Sequence, residues 1–215
     1  MPEEQIDVVD PQGRFIGVTK DKSKVHADGD WHMTVHIVVT DGAGRVLEQF
    51  RGPDCKLMRM CWDPMSIAGH ISAVIANPSD APALLRPDIL HQAMQAGIRE
   101  GAEEIGLEID ESWFFTERLR FFGITRTNNL TNEGYTDRWW DRALSINFML
   151  VMPGFTATGL RLEPGKVLDV RMRHVDDIER VLRGELNETY ADRQPDHNWL
   201  LASTIDTARR IAAGY

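Results

Sequence analysis

Cysteine is scarce in this 215-residue chain: Cys55 and Cys61 are the only two, in one short segment. A disulfide framework is therefore excluded, and reduced thiols are expected. Aromatic residues make up only 8%. No apolar run approaches the ~20 residues needed to span a bilayer, so no membrane partner is expected. The opening Met1-Pro2-Glu3-Glu4 is acidic, unlike a secretory signal, which makes a cytoplasmic protein the expectation. Internal repeats and low-complexity tracts are also absent. Cations are outnumbered, with 24 Lys and Arg against 33 Asp and Glu and a net charge of −9. Such a chain repels a phosphate backbone, so nucleic acid is not an expected partner. A small phosphorylated ligand is compatible with that charge, provided a metal or a local basic pair supplies the counter-charge.

What is present suits one globular domain over residues 1–215, since 42% hydrophobic and 27% charged residues are ordinary values. Residues 6–10 and 14–19 flank a Pro11-Gln12-Gly13 turn and predict an N-terminal β-hairpin extension within 1–30, closed by a polar stretch from Lys20 to Gly29. Trp31–Thr40 is rich in β-branched residues and predicts a strand, followed by another at Arg45–Arg51. Loops are expected from Gly52 to Pro64, then a short strand over Ser66–Ala73. Pro78, Pro82 and Pro87 mark residues 77–88 as a connection. Leu90, Ala93, Met94, Ile98 and Ile105 recur at helical spacing, so a helix is predicted over Ile89–Ile105 with Gly106 as its C-terminal cap. Strands are expected from Phe114 to Phe122, at Ala143–Met152 and at Lys166–Met172. Helices are expected at Asp176–Leu182 and Trp199–Ala213, the latter within a C-terminal helical segment, 195–215. Interleaved strands and helices predict a mixed α/β sandwich.

Glu100, Glu103 and Glu104 stand at i, i+3 and i+4, so a helix crowds their carboxylates onto one side. Massed carboxylates repel one another unless a cation sits among them. Mg²⁺ binds through one or two carboxylates plus substrate phosphates, and this spacing suits such a site. A solvated Glu-rich face would show the same three residues. Arg99, four residues before Glu103, is placed to pair with it or to orient a neighbour.

The run Arg99-Glu100-Gly101-Ala102-Glu103-Glu104-Ile105-Gly106-Leu107 resembles the second half of the Nudix box, Gly-x5-Glu-x7-Arg-Glu-U-x-Glu-Glu-x-Gly-U, where U is bulky and apolar. Gly101 departs from it at the first U and is expected to weaken local packing. Trp62 to Ile71 resembles the segment that opens the box in the isopentenyl-diphosphate-isomerase-like branch. His26, His32, Arg51 and Lys56 resemble that branch's N-terminal histidine pair and its Arg…Lys signature. Gly69 to Arg99 is longer than the standard box, with an insertion over 75–90. The box's first glutamate is missing, since counting forward from Gly69 finds Ile75 and counting back from Arg99 finds His91. Ala68 occupies the position of the isomerases' catalytic cysteine, so isomerase chemistry is not expected.

The resemblance implies a Nudix-type α/β/α sandwich with a mixed central sheet and an acidic metal-binding helix. It implies hydrolysis of a diphosphate linkage in a nucleoside-diphosphate-X type of small molecule, with Mg²⁺ or Mn²⁺ as cofactor. Glu100, Glu103 and Glu104 would be the ligands, joined by the Gly69 carbonyl. Glu100 could also serve as base, with Glu103 and Arg99 in the catalytic set. Arg51, Lys56 and His70 would contact substrate. His26, His32 and His70 fall in positions that resemble those isomerases use as metal ligands. Glu163 is a candidate extra carboxylate from outside the box. Trp139-Trp140, after the polar run Thr125–Arg138, could face substrate or pack in a core or a homodimer contact. A catalytically inactive module that binds a nucleotide or diphosphate is the alternative reading.

Overall fold

The computed structural model describes residues 3–215 except 65, 75–80, 85, 132–138 and 191–194; for 129–131, 139 and 195–199 it describes the backbone alone. The chain divides into two compact units. The smaller comprises residues 1–35, 69–96 and 124–146, and the larger comprises 36–68, 97–123 and 147–215.

In the smaller unit β1 (Gln5–Val9) and β2 (Phe15–Asp21) pair antiparallel, from Gln5 opposite Asp21 to Val9 opposite Phe15. The Asp10 carboxylate closes their turn by accepting from the backbone N–H groups of Gln12 and Arg14. The Lys20–Gly29 stretch, read from the sequence only as polar, contains a helix, α1 (Lys22–Asp28). Polarity hid it, because only Val25 and His26 of the helix are buried. Val25 joins Ile6 and Val8 in a small apolar cluster. Gly29 ends the helix in the left-handed region at φ 72°, and a Cβ there would lie 3.1 Å from the Trp140 ring.

The seven-stranded sheet runs β5-β4-β3-β8-β7, with β6 pairing β3 and β9 pairing β4. Its strands are β3 (His32–Thr40), β4 (Arg45–Arg51), β5 (Trp62–Asp63), β6 (Ile67–His70), β7 (Leu119–Thr131), β8 (Trp139–Val151) and β9 (Val167–His174). The protein is thus a mixed α/β fold around a central sheet, as the alternation of elements predicts. β6 is shorter than the Ser66–Ala73 expectation. Phe114 and Phe115 lie in a 3-10 turn, Glu111–Phe115, before β7 begins. Within the polar run from Thr125, residues up to Thr131 are strand and not loop; 132–138 lie outside the described residues. Trp139 and Trp140 accordingly open a strand.

Within the larger unit β4 pairs with β9 from Arg45 opposite His174 to Arg51 opposite Val167. The helices α3 (Val175–Leu182) and α4 (Pro195–Ala212) bury Val175, Ile178, Leu200, Leu201 and Ile205 with Val38, Val46 and Met149. The acidic helix is α2 (Pro87–Glu104). It starts at Pro87, a residue suited to a first helical turn, so the proline-marked connection is shorter than expected. Of the 75–90 insertion, 75–80 (with Ile75) and 85 lie outside the described residues.

Two close backbone approaches shape the larger unit around the end of α2. Gly106 at φ 65° terminates the helix, with the Leu107 N–H reaching the Gly101 carbonyl at 2.9 Å. The Gly52 N–H donates to the Lys166 carbonyl at 2.6 Å, and a Cβ on Gly52 would collide with the Gly165 carbonyl oxygen. Gly101 is buried, and a Cβ there would sit 3.2 Å from Ile67 Cδ1 and 3.3 Å from Ile109 Cδ1. The expected loss of packing at Gly101 is therefore made good by these neighbours. Gly52→Ala is expected to lower the unfolding free energy by about 2–3 kcal/mol, as overpacking against backbone does. Urea denaturation measures this, and an unchanged midpoint would contradict the close approach.

Candidate metal and diphosphate site

The turn Glu163-Pro164-Gly165-Lys166 is built by its own sequence. Proline followed by glycine favours a turn with positive φ at the third residue, and Gly165 has φ 82° with the Lys166 N–H 3.2 Å from the Glu163 carbonyl. Chain hydrogen bonds fasten this turn to the end of α2. The Glu163 N–H donates to the Glu104 carbonyl at 2.8 Å, and the Arg161 N–H donates to the Ile105 carbonyl at 3.0 Å. On its other side the Lys166 carbonyl also accepts from Cys55 Sγ at 3.2 Å.

Glu104 therefore sits among charges. Burial pushes its carboxyl up to about 7, and Glu100 and Glu163 push the same way while Arg51 and Lys166 oppose. Its Oε2 is buried without a hydrogen-bond partner among the described residues. Glu100 is largely buried and lies 3.3 Å from Arg99 Nη2. Arg99 thus pairs with its neighbour Glu100. Glu103 is exposed at the helix end. Glu163, a candidate from the sequence, is brought beside Glu104, with its carboxylate 3.1 Å from Lys166 Nζ. Lys166 went unnoticed in the sequence, although the Pro-Gly turn that carries it is legible there.

The remaining named residues lie elsewhere or serve other ends. Arg51 is an internal cation, donating from Nε to the Leu57 carbonyl at 3.2 Å and lying 3.9 Å from Asp63. Lys56 is exposed in the loop after β4, and His91 is exposed on α2. Gly69 and His70 belong to β6 in the smaller unit, whereas the glutamates belong to the larger.

His70 meets His26 and His32 in the smaller unit, their ligand-type atoms all within 4.8 Å of one another. His26 comes from the last turn of α1, His32 from the start of β3 and His70 from the end of β6. His26 Nδ1 is 2.7 Å from the Trp140 carbonyl, which therefore receives its proton, and His26 Nε2 is left as a lone pair 2.9 Å from His70 Nε2. His32 Nδ1 likewise faces the Asp30 carbonyl at 3.2 Å, and its Nε2 is buried without a hydrogen-bond partner among the described residues. Burial lowers His26 to about 4, and burial with the neighbouring His26 lowers His32 to about 3. Both rings are neutral at pH 7, the form in which imidazole binds metal. The Trp139 side chain lies outside the described residues. Trp140 touches this cluster through its carbonyl, while its ring lies against Gly29 and 4.6 Å from the Arg142 guanidinium.

No family model matches the chain. Nudix hydrolase 3 of Arabidopsis thaliana is 40% identical over 74 residues, a match that takes in 34% of this chain and 10% of that protein. The chain thus matches about a tenth of the length of that relative. The crystal structure of DR0079 from Deinococcus radiodurans is similar across 97% of this chain and 99% of that one, with a TM-score of 0.54 at 12% identity. That likeness is one of fold. The NUDIX domain of Shewanella oneidensis NrtR, solved with ADP ribose, covers 81% of this chain and 86% of that one at a TM-score of 0.44 and 13% identity, too loose to carry an argument.

The histidine cluster gives a pH prediction. A histidine whose folded pKa lies below its unfolded value of 6.5 contributes stability that is complete above about 6.5 and lost as pH falls towards 4. Glu104 and Glu48, both raised to about 7, work in the opposite sense over about pH 4.5 to 7. The difference in unfolding free energy between wild type and His32→Leu isolates the histidine. It is expected to move against wild type as pH falls from 6.5 to 4; a flat difference would contradict the buried neutral ring.

Proposed function

We propose that this chain is a Nudix-type hydrolase cleaving a diphosphate linkage in a small molecule of the nucleoside-diphosphate-X kind, with Mg²⁺ or Mn²⁺ held at the C-terminal end of α2. The observation that carries the reading is the unpartnered Glu104 Oε2, buried beside Glu100 and Glu163. A hard divalent cation fits this set, which offers only carboxylate oxygens. The sequence match to a Nudix hydrolase supports the same reading, as does the run from Arg99 to Leu107.

In this reading Glu104 and Glu100 hold the cation, with Glu103 at the exposed rim. When bound, the cation neutralises diphosphate charge and lowers the pKa of coordinated water. Arg99 orients Glu100, and Arg51 steadies Glu104 from the buried side. Glu163 is the carboxylate from outside the box, positioned to take a proton from attacking water. Lys56, exposed, remains a candidate phosphate contact. Isomerase chemistry has no support, since Ala68 cannot transfer a proton.

The test is a hydrolysis screen over nucleotide sugars, dinucleoside polyphosphates, cofactor diphosphates and prenyl diphosphates with Mg²⁺ or Mn²⁺. Wild type is expected to turn over at least one, and Glu104→Gln and Glu103→Gln are expected to lose about a hundredfold or more in rate. Equal rates in wild type and both variants would sink the assignment. Ligand binding without turnover across the panel would favour a non-catalytic binding module.

His26, His32 and His70 support a second reading, a nitrogen-donor metal position. Imidazole nitrogens select zinc or another transition metal over magnesium. The protein as purified is expected to carry such a metal by elemental analysis and to lose it in His32→Ala. Equal metal content in the two would contradict this assignment.

A further inference from the structure

We propose that one face of β7 and β8 in the smaller unit binds a nucleoside phosphate, which two arginines set over tryptophan rings, Arg126 on Trp31 and Arg142 on Trp140, would hold. The inference draws nothing from the carboxylates of α2, since every residue it uses belongs to the smaller unit. Along β7, Thr125 and Thr127 are buried while Arg126 and Asn128 are exposed, so the latter two share the outward face. On the adjoining β8, Trp140 and Arg142 share a face by the same alternation. Arg142 Nε donates to Asn128 Oδ1 at 3.0 Å, which makes the two faces one surface. The Arg126 guanidinium lies 4.5 Å from the centre of the Trp31 ring, and that of Arg142 lies 4.6 Å from Trp140. Two cation–aromatic pairs thus occupy one surface.

The chain carries a net charge of −9, and cations such as Arg45, Arg171 and Arg209 are paired with carboxylates. Arg126 and Arg142 hold no ion pair among the described residues, and Arg126 makes no hydrogen bond there either. Arg142 is fixed by Asn128 and, through Nη1, by the Gly29 carbonyl at 2.9 Å, which leaves its Nη2 for a ligand. The carboxylates close in sequence do not cancel this charge. Asp141 alternates to the opposite face of β8. Asp28 and Asp30, on either side of Gly29, are both held by Lys20. A guanidinium edge matches phosphate oxygens, and a guanidinium resting on an indole keeps a planar face for a base to stack on. A small molecule with both a base and a phosphate uses both features. A nucleic-acid strand would bring many more phosphates towards an acidic protein, so the single nucleotide is the ligand this charge balance favours.

The experiment is calorimetric titration of the full chain, without added divalent cation, with ADP, adenosine, pyrophosphate and a short oligoadenylate as probes. ADP is expected to bind more tightly than any of the other three. Arg126→Gln is expected to weaken ADP by about tenfold, the loss of a charge-assisted hydrogen bond. Arg126→Lys, which keeps the charge without the planar fork, should fall between the two. Arg210→Gln removes the same charge from the exposed end of α4 and should bind as wild type does. In the wild-type protein labelled with ¹⁵N, ADP should shift the Trp31 indole N–H resonance, assigned with Trp31→Phe, and this reading needs no folded arginine variant. ADP affinity equal in wild type and Arg126→Gln overturns the proposal, as does a Trp31 resonance that stays in place. Pyrophosphate binding as tightly as ADP overturns the stacking half of it, and oligoadenylate binding more tightly than ADP overturns the choice of a small ligand.

Discussion

The Glu104 carboxyl stands at the end of a helix, with one oxygen buried and without a hydrogen-bond partner among the described residues, and the charges of Glu100 and Glu163 act on it. Burying a charge costs several kcal/mol unless it is paired, so this arrangement needs cations to hold it. Arg51 and Lys166 supply part of that need. The surrounding backbone is arranged to keep the group in place. Gly106 ends α2 just beyond Glu104, and the Glu163 N–H is bonded to the Glu104 carbonyl. Gly52 and Gly165 then let two loops approach where side chains would collide. The concentration of negative charge is one that a divalent cation would relieve, which is the ground of the proposed site.

The two candidate metal positions differ in chemistry as well as in residues. The α2 end offers carboxylate oxygens with cations at its border, which suits Mg²⁺ and a charged phosphate ligand. The histidine cluster offers imidazole nitrogens, with the Trp140 carbonyl bonded to His26, which suits a transition metal. Burial acts on the two with opposite consequence: it raises the Glu104 carboxyl towards its protonated form, which a bound cation would have to reverse, and it keeps the His26 and His32 imidazoles neutral, the form that binds metal.

Much of the site was legible in the sequence because it is local. Glu100, Glu103 and Glu104 are neighbours on one helix, and Gly106 marks its end, so spacing alone brings them together. The Arg99–Glu100 pairing was within reach for the same reason. Long-range pairing was not legible. Nothing in the spacing of Arg51 reveals that it turns inward to Asp63, and nothing near Lys166 reveals its place opposite α2. The three histidines are separated by up to 44 residues, and only the fold gathers them. Polar periodicity also misled. The Lys22–Asp28 helix buries two residues, too few to announce itself, and the Thr and Asn residues before Thr131 form strand because neighbouring β8 supplies the pairing.

The central claim is that a divalent cation belongs at the end of α2, and crystals of the protein soaked in Mn²⁺ test it most directly by anomalous diffraction. The account predicts an anomalous peak at coordination distance from Glu104 Oε2, shared with Glu100. Manganese found only among the imidazoles of His26, His32 and His70, with none at Glu104, would contradict it.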